Sequence, residues 1–341
     1  MERVAICGDG VAALCCARLL RSAGLSVSID RIARPRVPAI MLSDNALALI
    51  RDIFDQPALF SSLPRINRRV VAWGEGAEPV TVPHSGVVVS EMVLLKSLVA
   101  DREPESAPKS ELSPTADFSV FTSKPLPSSV TQEHFGTRSA AAVEVSLRSP
   151  GDRSACWIES TSQGWLFLIP NQIESAWLLA VGASPETLLA ESHLVAPRIE
   201  MLSPASGASP AEFPACPRMI SPLSGDNWLA CGTAAMAFDP ICGDGTANAV
   251  REAILGCAVI RAIAAGSTPE PPLNHYRWRL IAGMQRHLAQ CGEFYRTGGN
   301  SSWWQAEAAA LREGFAWCRR ELAGQTESPY RLSGFELELV S

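Results

Sequence analysis

The sequence lacks the patterns that mark several common classes of protein. It has no CxxC, HxH or HxxxH pair, no run of basic residues, no apolar stretch of membrane-spanning length and no internal repeat. These absences argue against a zinc site, against nucleic-acid binding and against a transmembrane segment. A net charge of −6 also disfavours non-specific binding to nucleic acid. We therefore expect no metal, no nucleic-acid partner and no membrane partner.

Cysteine is not scarce, but its placement does not indicate a disulfide scaffold. The chain has ten cysteines in 341 residues, whereas disulfide-dense frameworks belong to short secreted chains. The first residues enter an apolar strand directly, without the pattern of a signal peptide. Six of the cysteines lie in apolar segments: Cys7, Cys15, Cys16, Cys231, Cys242 and Cys257. We expect small, reduced, buried thiols in a cytoplasmic protein.

The first thirty residues predict a dinucleotide-binding unit of strand, glycine turn, helix and second strand. Gly8 permits a tight turn, Gly10 lets the backbone approach a pyrophosphate, and Ala13 is small enough for close helix–strand packing. Asp30 lies 22 positions after Gly8, where a carboxylate can bind a ribose 2′-OH. This favours FAD or NAD over NADP. The predicted contacts are Gly8, Gly10, Val11, Ala12, Ala13, Asp30 and Arg31.

A second glycine-rich segment follows the apolar strand Trp228–Cys231. Gly243 and Gly245 give a backbone that can lie flat against a planar ring, and the helix that begins near Thr246 points its positive end at the same loop. A flavin suits this arrangement because its reduced ring carries negative charge at the N1–C2=O edge. The two segments together favour FAD over NAD. The predicted contacts here are Thr233, Asp239, Gly243, Gly245, Thr246, Ala247 and Asn248.

The order of the segments predicts an interrupted domain. A βαβ start, a mainly β middle and a late strand–loop–helix indicate an α/β FAD-binding Rossmann-like domain with an inserted mixed β-sheet substrate domain. We also expect C-terminal helices near 271–296 and 303–322. Two proline-bearing segments, 101–116 and 203–217, are predicted as a surface loop and a linker. The predicted ranges are 1–66, 90–125 and 218–265 for the FAD domain, 67–89 and 126–217 for the substrate domain, and 266–341 for the C-terminal region.

Together these segments resemble the FAD-dependent aromatic monooxygenases of the p-hydroxybenzoate hydroxylase type, a superfamily that includes the flavin-dependent halogenases. Within it, the chain is most similar to the flavoproteins that modify tryptophan while tryptophylquinone enzymes mature. The matching motifs lie within Trp73–Glu91, Ala234–Thr246 and Cys291–Trp304. The resemblance implies FAD as cofactor, NAD(P)H as electron donor and hydroxylation of an aromatic group. The substrate it implies is either a small molecule or a tryptophan side chain in a quinoprotein precursor.

The chain departs from the family pattern at several positions. Thr233 replaces the acid that holds the ribityl chain, Phe121–Lys124 replaces a glycine-containing turn, and Glu91 stands where relatives often have arginine. These changes keep open a catalytically degenerate protein that binds or chaperones a partner. Gly164–Pro170 resembles the Trp-x-Trp-x-Ile-Pro motif of tryptophan halogenases. A halogenase of this kind also needs a lysine near its substrate, early in the chain. Halogenation is less favoured because this chain has no lysine before Lys96.

Candidate catalytic residues are His84 and Asp239. His84 would act as an acid/base or hydrogen-bond a substrate, and the alternative is an ordinary packed histidine. Asp239 would lie at the flavin face, and its alternative role is to cap the following turn. One wall of an aromatic substrate pocket is predicted to consist of Trp73, His84, Trp165 and Phe167, although the aromatic members would serve equally well as core.

Overall fold

The computed structural model describes residues 1–99, 116–148, 152–202, 211–324 and 329–340. The predicted loop at 101–116 therefore lies, except for its last residue, outside the described residues. The helices are α1 (Val11–Ser22), α2 (Asp44–Phe54), α3 (Glu91–Val99), α4 (Pro185–Glu191), α5 (Gly245–Ala264), α6 (Glu270–Thr297) and α7 (Ser302–Ala323). The strands are β1 (Arg3–Cys7), β2 (Ser26–Asp30), β3 (Ile40–Ser43), β4 (Arg65–Ala72), β5 (Val80–Val89), β6 (Phe118–Phe121), β7 (Thr131–His134), β8 (Ser139–Leu147), β9 (Ala155–Thr161), β10 (Gly164–Pro170), β11 (Ser175–Gly182), β12 (Ile199–Met201), β13 (Ala211–Pro214), β14 (Arg218–Ser221), β15 (Ser224–Gly225), β16 (Trp228–Ala230), β17 (Met236–Ala237), β18 (Tyr330–Ser333) and β19 (Glu336–Leu339).

The first sheet has the strand order β15-β16-β6-β1-β2. Its interior strand β1 is an apolar run that is buried from Val4 to Cys7, as expected for a parallel strand covered on both faces. β1 runs parallel to both β2 and β6, and β16 runs parallel to β6. α1 packs against α5 beside this sheet. The late strand–loop–helix segment therefore returns to the first βαβ unit, as the sequence predicts.

The second sheet has nine strands. Its main order is β12-β8-β11-β10-β9-β4-β5-β3, and β13 pairs with β8. Most neighbours are antiparallel, and β4 and β9 form a parallel pair, so the sheet is mixed. β3 lies in the range 1–66 that was predicted for the FAD domain, yet it hydrogen-bonds to β5 of this sheet. The sheet thus carries residues that border the site described below.

The two long C-terminal helices, α6 and α7, confirm the helices predicted near 271–296 and 303–322. They pack on each other and are anchored to the second sheet. Trp304 Nε1 donates to the Thr161 carbonyl at 2.8 Å, and Trp73 Nε1 donates to the Phe294 carbonyl at 2.9 Å. The β18–β19 hairpin in the same region was not predicted, because its strands are short and none of their residues is fully buried.

The predicted domain ranges remain predictions. Residues 203–210 of the predicted linker at 203–217 lie outside the described residues, and the rest of it contains β13, a strand of four exposed residues in which no alternation of buried and exposed side chains marks a strand. All ten cysteines are free thiols. The mixed α/β class with C-terminal helices is confirmed. No helix in the described part of the chain has both the length and the hydropathy needed to cross a bilayer.

Candidate cofactor site

The first glycine turn joins β1 to α1. Gly8 has a φ of +129°, and its N–H donates to the Asp30 carbonyl at 2.8 Å. A side chain at Gly8 would collide with the Thr122 hydroxyl, so the position requires glycine. Gly10 is the N-cap residue of α1, and none of the described side chains caps this helix. The first N–H groups of α1 are therefore available to an anion.

The other residues predicted for this half of the site surround the same turn. Val11, Ala12 and Ala13 form the first turn of α1 with buried side chains, so they offer only backbone groups to a ligand. Asp30 ends β2 beside Cys7, is half-buried, and leads into the exposed Arg31. The structure thus brings these residues together, and their contacts with a dinucleotide remain predictions.

Two arginines that sequence reasoning missed lie at the same turn. Arg34 forms an ion pair with the buried Glu91, which also accepts the Val37 N–H at 2.9 Å. A Cβ added at Gly10 would lie 2.9 Å from Nη2 of Arg34, so this guanidinium stands directly beside the turn. Arg36 pairs with Asp9. The cluster of arginines that follows Asp30 in the sequence was the available signal, and it places guanidinium N–H donors where a phosphate is expected.

The residues that follow β16 pack onto the first turn. The Cys231 N–H donates to the Phe121 carbonyl at 2.8 Å, and a Cβ at Gly232 would lie only 2.9 Å from Cβ of Ala12. Gly232 has a φ of +61°, and its N–H donates to Oε2 of Glu252 at 2.8 Å. Burial raises the pKa of Glu252 to about 8. The side chain of Thr233 is exposed on this loop, where a ligand could reach its hydroxyl.

The second glycine turn lies between the short 3₁₀ turn Pro240–Cys242 and α5. Gly243 has a φ of +64°, in the left-handed region, and Gly245 is the first residue of α5. Asp244 is the N-cap residue but makes no capping bond, so the described residues leave the first N–H groups of this helix open. Thr246, Ala247 and Asn248 form its first turn.

Strands β3, β4 and β5 cover this second turn from the other side. A Cβ added at Gly243 would lie 3.2 Å from Nη2 of Arg69 and 3.7 Å from Cε of Met41. Arg69 and Asp244 both influence the nearby His84 electrostatically. Burial first, and then the charge of Arg69, lowers the pKa of His84, so its imidazole is neutral at pH 7. Nε of Arg69 and Nε2 of His84 are buried without a hydrogen-bond partner among the described residues. Buried polar atoms of this kind suit a polar ligand.

The prediction that Asp239 is a catalytic group at a flavin face needs correction. Its carboxylate is 1% exposed and fully engaged. Oδ2 accepts from Nε of Arg138 at 2.7 Å and from the Tyr295 hydroxyl at 2.9 Å, and Oδ1 accepts the Ile241 N–H at 2.9 Å. The alternative role, capping of the following turn, is the one that the structure supports. Arg138 also pairs with the buried Glu307, so this carboxylate belongs to a closed ionic network.

The aromatic residues predicted to line a substrate pocket separate into two groups. Trp165 and Phe167 lie in the hydrophobic core at 0% and 5% exposure, and Nε1 of Trp165 donates to the Tyr295 hydroxyl at 3.1 Å. These two predictions are corrected, because neither ring is open to a substrate. Trp73 is half-buried and meets Trp165 edge-to-face at 6.4 Å. It packs beneath α6, whereas His84 lies beside the second glycine turn.

One cluster of metal-ligating residue types is present among the described residues. The Sγ atoms of Cys242 and Cys291 and the imidazole of His287 lie within 4.8 Å of one another. The Asp239 N–H donates to Nε2 of His287 at 2.8 Å, so the lone pair that a metal would need is already in use. The expectation of no metal stays a prediction. The spacing His287-x-x-x-Cys291 on one helix face was the signal in the sequence.

Comparisons with known proteins connect this geometry to a fold. No protein-family model and no curated protein sequence matches the chain. Among solved structures, the peptidyl tryptophan dihydroxylase QhpG, essential for tryptophylquinone cofactor biogenesis, aligns with a TM-score of 0.73 at 16% identity over 99% of this chain and 86% of that one. The flavin-dependent brominase Bmp2 aligns with a TM-score of 0.67 at 16% identity over 93% and 99% of the two chains. Klebsiella pneumoniae HpxO, solved with FAD and uric acid, gives a TM-score of 0.62 at 13% identity over 95% and 93%.

At these identities the likeness establishes the fold, and it agrees with the resemblance found in the motifs. The alignment with QhpG covers 99% of this chain and therefore includes the βαβ unit, the mixed second sheet and the late glycine turn before α5. This chain has the fold of the FAD-dependent monooxygenase and halogenase superfamily.

Proposed function

We propose that the chain is a FAD-dependent monooxygenase that hydroxylates an aromatic group, with NAD(P)H as electron donor. One observation carries the proposal. Two glycine turns each lie ahead of a helix that no described side chain caps, and the segment leading into the second turn packs on the first helix where Gly232 meets Ala12. Polar atoms of Arg69 and His84 that lack a partner among the described residues lie beside the second turn. A dinucleotide with a polar planar ring matches this combination of an anion site and a flat backbone.

The residues present fit FAD along a continuous path. Asp30 would bind the adenosine ribose, and the N–H groups at Gly10–Ala13, with Arg34, would bind the pyrophosphate. Thr233 would hydrogen-bond the ribityl chain, and the backbone at 243–248 would border the isoalloxazine. Bound FAD would supply the redox centre at which dioxygen is activated. The protein's own contribution is to position the ring and the substrate and to exclude water.

His84 is the residue that we propose to meet the substrate. Its pKa is lowered by burial and by Arg69, so the imidazole stays neutral and can accept or donate one hydrogen bond. Its Nε2 atom has no partner among the described residues. An aromatic substrate bearing an N–H or O–H group would provide one.

We further propose that the substrate is a tryptophan side chain of a protein that matures into a tryptophylquinone enzyme. Two observations support this. QhpG, whose described activity is peptidyl tryptophan dihydroxylation, aligns over nearly the whole chain. The strand that carries His84 also exposes apolar side chains, with Val80 at 61% and Val82 at 45% exposure, which suits contact with a polypeptide.

A second candidate is a flavin-fold protein that binds or chaperones a partner without catalysis. The observation that favours it is the guanidinium of Arg34, which Glu91 holds beside Gly10, where a pyrophosphate would bind. In this alternative the arginine takes the place of the ligand. In the monooxygenase the same arginine is a ligand of the phosphates.

A spectroscopic experiment separates the two candidates. The purified protein should show flavin absorbance, and NADH or NADPH should bleach it. Reduced nicotinamide consumption is then measured with free tryptophan and with a tryptophan-containing precursor polypeptide of a quinone enzyme. We expect added oxygen, detected by mass spectrometry, in the polypeptide and very little in the free amino acid. Efficient hydroxylation of free tryptophan would contradict the protein substrate. Flavin that neither nicotinamide reduces, with or without the polypeptide, would favour the second candidate.

A further inference from the structure

A pair of cysteines lies directly beside the second glycine turn. Cys242 ends the 3₁₀ turn ahead of Gly243, and Cys291 lies on α6, one helical turn after His287. Sγ of Cys242 lies 3.8 Å from Sγ of Cys291, and Sγ of Cys291 lies 3.4 Å from Nε2 of His287. The two sulfur atoms are thus already in van der Waals contact. A disulfide requires these two atoms to approach to about 2.05 Å.

We propose that Cys242 and Cys291 form a peroxide-reactive dithiol site that closes into a disulfide. The Cys242 thiolate attacks one oxygen of hydrogen peroxide, forming an S–O bond and breaking the O–O bond, and the departing hydroxide takes a proton to become water. The Cys291 sulfur then attacks this sulfenic acid. An S–S bond forms, the S–O bond breaks, and the hydroxyl leaves as a second water with the proton of Cys291. In total, two thiols lose two electrons and one peroxide becomes two waters.

The surroundings of Cys242 suit the attacking role. It alone among the ten cysteines is partly exposed. Hydrogen bonding from Cys291 and then from His287 outweighs burial and lowers the pKa of Cys242 to about 6. The hydrogen bond with Cys242 and then burial raise the pKa of Cys291. Asp239 from the same loop and Arg138 from beside β8 are the charged groups facing the pair. One thiolate and one thiol at neutral pH is the combination that peroxide-sensing cysteine pairs require.

The other cysteine cluster of the molecule provides the contrast. Cys16 interacts with both Cys231 and Cys257, but all three are fully buried. The hydrogen bond with Cys231 lowers the pKa of Cys16, but the hydrogen bond with Cys257 and then burial raise it well above the usual range. The hydrogen bond with Cys16 and then burial raise the pKa of Cys231 in the same way, so both thiols stay protonated. Both clusters therefore bring thiols close together. Only Cys242 combines partial exposure with a lowered pKa.

Hydrogen peroxide as the oxidant rests on the proposed function, because an oxygen-activating flavin beside Gly243 is a local source of it. The thiol chemistry does not depend on that source. A disulfide would tie the 240–243 turn to α6 and thereby hold the backbone next to Gly243 in one position. The fraction of protein with the Cys242–Cys291 disulfide would then rise with the amount of peroxide released beside the ring.

The test uses the full-length protein stripped of any flavin, reduced, and then exposed to one equivalent of hydrogen peroxide. Non-reducing peptide mapping by mass spectrometry should find a single disulfide between Cys242 and Cys291. Cys242→Ser should lose it, and the matched variant Cys257→Ser should keep it. In Cys291→Ser, dimedone should trap a sulfenic acid at Cys242. If that variant does not fold, the wild-type map and Cys242→Ser still decide.

Three results would overturn the proposal: thiols that remain unmodified, a disulfide within the Cys16 cluster instead, or stoichiometric zinc that is bound at Cys242 and blocks oxidation. Because the experiment contains no flavin, each of these leaves the proposed monooxygenase untouched. Conversely, failure of FAD to bind would leave the mapped disulfide intact.

Discussion

At the residue scale, Asp239 shows how a motif residue can serve the fold. Its carboxylate accepts from Arg138, Tyr295 and the Ile241 N–H, all within the interior. The loop that carries Asp239 also contains Gly243 and Gly245. The buried ion pair between Asp239 and Arg138 holds this loop in place. A buried charge that loses its partner is expensive, whereas an exposed pair is worth little.

Asp239→Asn should therefore destabilise the protein by about 3 kcal/mol, because Arg138 would keep only Glu307 as a counter-charge. The measurement is the free energy of unfolding in urea. The matched control Glu293→Gln breaks an exposed pair with Arg296 and should change that energy by less than about 1 kcal/mol. Equal losses in the two variants would contradict the structural role of Asp239.

His84 gives the second prediction at this scale. If the proposed function holds, His84→Gln should lower turnover about a hundredfold and leave FAD affinity and unfolding unchanged. Because its pKa is lowered from 6.5, the wild type should keep its activity at pH values somewhat below 6.5. The exposed His193 is the control, and His193→Gln should have no effect on turnover. A stability loss in place of the turnover loss would make His84 a packing residue.

At the element scale, α5 holds the loop after β16 through a buried acid. Oε2 of Glu252 accepts the Gly232 N–H, and burial raises its pKa from 4.5 to about 8. A raised pKa means that the folded state holds a proton which the unfolded chain has released. The contribution to stability is complete below pH 4.5 and is lost as the pH rises through 8.

Glu252→Gln should remove this pH dependence, since the amide oxygen can still accept the Gly232 N–H. The free energy of unfolding of the wild type should fall between pH 5 and pH 8 by a few kcal/mol, and no more than about 5 kcal/mol, relative to that of the variant. Urea titrations at several pH values measure it. Glu270→Gln, at an exposed pair with Arg277, should retain the wild-type slope. A wild-type slope in Glu252→Gln would refute the assignment.

The elements also show what the sequence can and cannot predict. The β1–α1–β2 unit, the turn before α5 and the helices α6 and α7 were predicted because their signals are local: glycine spacing, helical periodicity and an acid at a strand end. Pairings between distant residues carry no such signal. Arg34 meets Glu91 over 57 positions, Cys242 meets Cys291 over 49, and Arg138 meets Asp239 over 101. The contact with Arg138 changed the role expected for Asp239.

Trp165 and Phe167 illustrate the same limit on the substrate side. Alternating aromatic residues on a strand suit either a pocket wall or a core, and the choice depends on what packs against them. Here α6 supplies Tyr295, which takes the indole N–H of Trp165. The halogenase-like motif at Gly164–Pro170 is thus a buried strand at the base of the C-terminal helices.

At the scale of the whole molecule, the two sheets and the C-terminal helices meet around the second glycine turn. The first sheet leads through β16 into this loop and α5, and the second sheet places Arg69 and His84 beside it. From α6, His287 accepts the Asp239 N–H and Cys291 contacts Cys242. Each part alone is an ordinary element. Their convergence is what makes this loop the centre of the proposed FAD site.

The most direct test of that claim is FAD binding to the flavin-free protein, followed by quenching of flavin fluorescence. Gly10→Val and Gly245→Val are informative because a Cβ added at either position meets no backbone atom. Among the described residues, a Cβ at Gly10 meets the flexible end of Arg34, which must shift, and the more distant carboxylate of Glu91. A Cβ at Gly245 has no atom within 4 Å apart from its chain neighbours and its own helix. Gly292→Val on α6, also in open space, is the matched control. The account predicts FAD binding by the wild type and the control, and at least a tenfold loss in both glycine-turn variants, with unchanged unfolding midpoints. Equal affinities in all four proteins, or no binding by the wild type, would contradict it.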